Sequence, residues 1–132
     1  MRAGLVSVRP TGGRRLNLLQ WFGLGGAPLA WAVMHVAGWG VSELHCAQGR
    51  LGVDARAWQI GATAAAFAIW ALATAAALAV FRASKVDGED PEPPLGRAHM
   101  LATAALAVNA VFFCMILLAG ISTSVAMGCR GS

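Results

Sequence analysis

Residues 23–44 read GLGGAPLAWAVMHVAGWGVSEL. The stretch has no Lys or Arg, and its one acid, Glu43, stands at its end. As a helix rising about 1.5 Å per residue it is long enough to cross a hydrocarbon layer of about 30 Å. Two further apolar runs, 58–81 and 100–127, pass the same test. Of the 132 residues, 58% are hydrophobic and 12% charged, where a soluble domain carries about a quarter charged residues. So much apolar surface cannot be hidden by folding a chain of this size on itself, which makes lipid its natural solvent. In lipid the backbone must satisfy its own hydrogen bonds, so each run is expected to be a helix. The expected fold class is an all-α integral membrane protein with three transmembrane helices.

Outward from 23–44 the chain divides readily. Residues 1–20 are a basic tail, with Arg2, Arg9, Arg14 and Arg15. Helix 1 spans 21–44 and a short loop covers 45–57. Helix 2 spans 58–81 and is alanine-rich. The linker 82–97 contains KVDGEDPEPPLGR, a composition that cannot pack a core and reads as solvated. Helix 3 spans 98–127, and 128–132 is a short tail. Gly25-Gly26 followed by Pro28 predicts a break in helix 1, with 17–26 lying along the interface and the span starting near Ala27. Arg14-Arg15 ahead of an apolar run has the look of a twin-arginine export signal. The run is too long for a signal-peptide core, so the segment is expected to be retained.

Lys and Arg set the orientation. Seven fall in the first tail and the 82–97 linker, namely Arg2, Arg9, Arg14, Arg15, Arg82, Lys85 and Arg97. Three, Arg50, Arg56 and Arg130, fall on the opposite side. The N-terminus is therefore expected in the cytoplasm and the C-terminus outside. Trp21, Trp39 and Trp58 stand near span ends, where indole rings favour the interface. Cys46 and Cys129 then share the outer face, just past two span ends. An oxidising exterior makes them a natural disulfide pair. Cys114, within helix 3, reads as a small buried apolar residue.

Gly26, Ala30, Val33, Ala37 and Gly40 fall in one arc of helix 1. Gly26, Ala30, Ala37 and Gly40 are small enough to admit another helix closely. Comparable stripes are Gly61, Ala65, Ala68, Ala75 and Ala79 on helix 2, and Ala102, Ala105, Asn109, Gly120 and Thr123 on helix 3. Trp31, His35 and Trp39 form the opposite face of helix 1. With two contact faces on one helix, a partner membrane subunit or a second copy of the chain is expected beside the lipid bilayer. Few polar groups lie inside the spans, chiefly His35 and Asn109. Measured from the span ends they reach similar depth, which predicts an interhelical hydrogen bond between them. Its expected role is packing.

No GxSxG, HExxH or phosphate-binding glycine loop is present, so no enzyme activity is expected. Two cysteines and His45 lack a fourth ligand for zinc, and no metal site is expected. No two of His35, His45 and His99 can share a haem iron within one chain, and no cofactor is expected. The basic residues flank spans, so the basic balance does not indicate nucleic acid.

Gly26-Ala27-Pro28-Leu29-Ala30-Trp31, then His35, Cys46, Asn109-Ala110-Val111-Phe112 and Cys129, resemble small three-helix membrane proteins of bacteria found in gene neighbourhoods of respiratory haem–copper oxidases. The resemblance covers both outer helices but not helix 2 or the polar ends. It implies a non-catalytic accessory or assembly role beside a terminal-oxidase-type complex, with the chain a multi-pass protein of a bacterial inner membrane. The alternatives are an oligomeric small transporter or channel with His35 on its axis, and a haem-binding membrane electron carrier.

Overall fold

The structure is a computed structural model that describes residues 10–48, 54–85 and 95–125. It is all-α, with three helices among the described residues: α1 (Pro10–Gln48), α2 (Ala55–Ser84) and α3 (Leu95–Val125). Two helices are long and apolar enough to cross a membrane, Ala55–Ser84 and Gly96–Thr123. Their most apolar windows are only 28% and 17% buried within the fold. Most residues of these windows lie outside the core. The glycines of α1 lower its mean hydropathy, and it does not meet the same test.

α1 differs from its expected form in two ways. It is helical from Pro10, so residues 10–20 extend the helix where an irregular tail and an interfacial segment were expected. Proline suits a first helical turn, because its missing N–H would have no intrahelical partner there. The helix also runs unbroken through Pro28. In water an internal proline costs about 3 kcal/mol. Among apolar neighbours, unwinding the helix would strand several more backbone groups, so continuity costs less.

α1 and α2 pack antiparallel at very short range. A Cβ added at Gly23 would lie 3.0 Å from the Ala77 backbone nitrogen, and one at Gly26 would lie 2.9 Å from the Cβ of Ala73, one turn earlier on α2. One at Gly38 would lie 2.9 Å from Gln59 Oε1. Gly120 on α3 similarly abuts the Thr63 methyl of α2, at 2.9 Å. Where apolar burial gives helices little reason to associate, such close approach supplies the van der Waals contact that holds them. Buried positions recur at intervals of seven: Gln59, Ala66, Ala73 and Val80 on α2, and Ala102, Asn109 and Ile116 on α3. That spacing keeps one seam facing a neighbour along the whole helix.

Ala30, Met34, Ala66 and Ile116 form the core cluster, with Trp31, Phe67 and Trp70 packed against it. α2 starts at a capped turn: the Asp54 carboxylate accepts from the Arg56 N–H at 3.0 Å. This satisfies one of the donors a helix leaves open at its first turn.

Candidate functional site

The most deeply buried side-chain amide among the described residues belongs to α3. Asn109 is 1% exposed, and its Nδ2 donates to the Gly23 carbonyl of α1 at 3.1 Å. Its own backbone carbonyl accepts from Trp70 Nε1 of α2 at 2.8 Å. One residue thus ties three helices together. Asn109 Oδ1 has no hydrogen-bond partner among the described residues. The bond to Gly23 holds the turn of α1 just ahead of Pro28, where the intrahelical ladder is interrupted.

His35 is not part of this node, and the expected His35–Asn109 bond is not made. The acceptor used on α1 is Gly23, about 18 Å along the axis from His35. Counting from apparent span ends puts His35 and Asn109 at equal depth, but span ends do not set the register. The register is set instead by Gly23 and Gly26 against Ala77 and Ala73, and α1 begins well ahead of its apolar run. His35 is exposed, its ring stacked on Trp31 with centroids 5.3 Å apart and planes 18° from parallel. Trp31 in turn meets Phe112 of α3 edge-on at 5.8 Å. The Trp31–His35 face of α1 is therefore a fixed surface beside α3.

The small-residue stripe is brought into contact only in part. Gly26 and Ala30 are buried against α2. Val33 is 60% exposed, Ala37 and Gly40 are half-buried, and no heavy atom lies within 4 Å of a Cβ added at Gly40. The seam runs on through Met34 and Gly38 instead. The part of the stripe that was expected to receive a partner is taken by α2 of the same chain. On α2, Gly61, Ala65, Ala68, Ala75 and Ala79 all face outward. Gln59, a buried polar residue that the sequence reading passed over, lies against Gly38, where the absent side chain leaves room for its amide.

Cys46 is exposed near the C-terminal end of α1 and is not a free thiol. Its expected partner Cys129 lies outside the described residues. Cys114 is free and exposed, so its expected burial is corrected: at this position α3 turns away from both neighbours. His99 sits at the opposite end of the bundle from Cys46, stacked on Phe81 at 4.6 Å, with Nδ1 3.3 Å from the Ser84 hydroxyl. His35 and His45 are about 15 Å apart along α1. Among the described residues, no three His, Cys, Asp or Glu side chains are grouped as metal ligands.

Two of the concave surfaces among the described residues adjoin one another at Trp21. An apolar groove of about 790 Å³ runs between α1 and α2, from Trp21 and Phe22 past Gly25 and Leu29 to Trp58. A second hollow of about 640 Å³ lies where all three helices meet at the Arg14 end. Arg14, Asn17, Gln20, Ser84 and Arg97 contribute its polar groups. Ser84 lines the second hollow, its hydroxyl 3.3 Å from His99 Nδ1 and donating to the Phe81 carbonyl at 3.2 Å. No protein-family model matches the chain, and no curated protein or solved structure matches it either.

Proposed function

We propose that the chain is a three-span, non-catalytic membrane subunit that packs beside a larger complex in a bacterial inner membrane. The observation that carries this reading is His35. It stands on the outer face of α1, held by stacking on Trp31, with the exposed apolar residues Val36 and Trp39 beside it. An imidazole turned toward lipid has a donor and an acceptor that lipid cannot satisfy. A polar group on a partner helix removes that cost. Association with a respiratory complex of the terminal-oxidase type rests on the resemblance of 26–31, His35, Cys46 and 109–112 described above.

α1 is the third span in this reading. No Asp, Glu, Lys or Arg stands between Arg15 and Glu43. Trp21 and Trp39 lie about 27 Å apart along α1, close to the thickness of the hydrocarbon layer. Gly38 abuts Gln59, which puts Trp39 level with Trp58 of α2. Three indoles thus mark two interfaces, and the positive-inside pattern puts Trp21 on the cytoplasmic side. His35 falls about 6 Å inside the outer one.

The test is co-purification from native membranes in mild detergent. Oxidase subunits identified by mass spectrometry are expected with the wild-type chain. His35→Leu is expected to lower their yield at least five-fold, the equivalent of one interhelical polar contact of about 1 kcal/mol. A wild-type chain that purifies alone, or an unchanged yield from the variant, overturns the reading. A haem absorption band in the isolated protein replaces it with the electron carrier.

On the outer face, the proposed bond joins Cys46 to Cys129. A non-reducing gel is expected to show a faster-running monomer that shifts on reduction. Cys46→Ser abolishes the shift and Cys114→Ser leaves it. Alkylation of all three cysteines in unreduced membranes would sink the pairing.

A further inference from the structure

The groove between α1 and α2 and the hollow at the Arg14 end share a wall, because Trp21 lines both. The hollow receives Arg14 from α1 and Arg97 from α3, with the neutral donors Asn17 and Gln20 between them and no carboxylate among its described lining residues. The groove beyond Trp21 is lined almost wholly by apolar atoms. From Trp21 to Ala37 it runs about 24 Å, longer than the roughly 15 Å of one leaflet's hydrocarbon. A positively charged, hydrogen-bonding mouth thus opens past an interfacial indole onto an apolar channel as long as an acyl chain.

We propose that this continuous surface is a binding site for one anionic phospholipid of the cytoplasmic leaflet. The phosphate lies between the Arg14 and Arg97 side chains, where planar guanidinium groups pair with phosphate oxygens through paired N–H donors. Asn17 and Gln20 hydrogen-bond the remaining headgroup oxygens. One acyl chain lies along the groove, over Gly25 and against Leu29. Two guanidinium groups, with no carboxylate beside them among the described lining residues, favour a net negative headgroup over a zwitterionic one, whose own cation would meet them. Basic hollows between helices on the cytoplasmic side are suited to such headgroups. The site rests on the membrane reading above, but its occupancy does not depend on which partner the chain has.

The experiment is native mass spectrometry of the full chain in detergent, titrated with phosphatidylglycerol and with phosphatidylcholine of the same acyl chains. One phosphatidylglycerol is expected to be retained in preference. Arg14→Gln and Arg97→Gln each weaken its retention about five-fold and weaken that of phosphatidylcholine less, so the preference between the two lipids narrows. Arg56→Gln, at the other end of the bundle, has no effect. Gly25→Leu fills the groove, where no heavy atom lies within 4 Å of the added Cβ, and weakens both lipids. Millimolar inorganic phosphate does not displace the lipid. Equal retention of the two lipids overturns the site, as does displacement by phosphate alone, which would show a phosphate pocket with no place for the tail. Arginine variants that lose stability but keep the lipid also overturn it, since the acidic linker would then be the arginines' partner. Binding in micelles is independent of membrane orientation, so failure here is separable from failure of the topology.

Discussion

Gly26→Leu is expected to force α1 away from α2, whereas Gly25→Leu, one residue earlier, leaves the fold intact. A Cβ at Gly26 meets the Ala73 Cβ at 2.9 Å, closer than two carbons can approach. Both atoms are fixed to helix backbone, so neither can swing aside, and the helices must separate. Separation also draws the Gly23 carbonyl away from Asn109 Nδ2, so a packing fault becomes a polar one. Overpacking alone costs about 1–3 kcal/mol, and a leucine at this contact stands at the upper end of that range. At Gly25 there is open space. Leucine there gains up to about 1 kcal/mol of helix propensity over glycine. Equilibrium unfolding of both variants in micelles is the measurement. Similar stabilities for the two would show that α1 and α2 are not in contact through Gly26.

The difference between these neighbours shows what the sequence could reveal. Helix number followed from apolar run length alone, and three helices are present. Gly26 and Ala30 of α1, expected to receive a partner, and Ala102, Ala105 and Asn109 of α3, expected to share one side of their helix, are buried within the bundle. The outward turn of the α2 stripe has a simple cause. In a helix with alanine on every side, small side chains no longer distinguish one face from another. The buried seam of α2 carries Gln59, Val80 and Ser84 as well, residues that a search for the smallest side chains discards. On α1 the expected seam stepped alternately by four and three from Gly26. The observed one steps by four through Ala30, Met34 and Gly38. One residue of drift is about 100° of rotation, enough to turn Val33 outward.

Depth was less legible than face. The apolar run of α1 begins near Trp21, but the helix begins at Pro10, so the run's edge does not mark a helix end. Register between helices comes from which backbones can touch, and that is a property of residue pairs. Gly23 with Ala77 and Gly38 with Gln59 fix it, and neither pair is visible along one helix alone. Of the two polar residues expected in the interior, Asn109 is buried and His35 is exposed. Its partner is a backbone carbonyl, which every residue carries and no sequence pattern marks.

The position of the N-terminus relative to the 82–97 linker is expected to decide whether α1 spans, and both should be cytoplasmic. Only α2 and α3 are apolar enough to qualify as spans by composition. If they alone crossed the membrane, the N-terminus would share a side with the C-terminus and oppose the linker. If all three cross, the N-terminus shares a side with the linker. The contacts of α1 favour the second arrangement. From Gly23 against Ala77 to Gly38 against Gln59, it lies beside α2 for about 22 Å. A helix packed along a span for that distance follows it through the hydrocarbon. Leu29, Val33 and Val36 on its outer surface are 60–67% exposed and suited to lipid. Alkaline phosphatase, which is active only outside the cytoplasm, is the reporter. Fusions in front of Met1 and within the linker should both be silent, and a fusion after Ser132 should be active. An active N-terminal fusion beside a silent linker fusion would take α1 out of the membrane. The outward-facing His35 would then meet water, and the need for a partner helix to cover it would disappear.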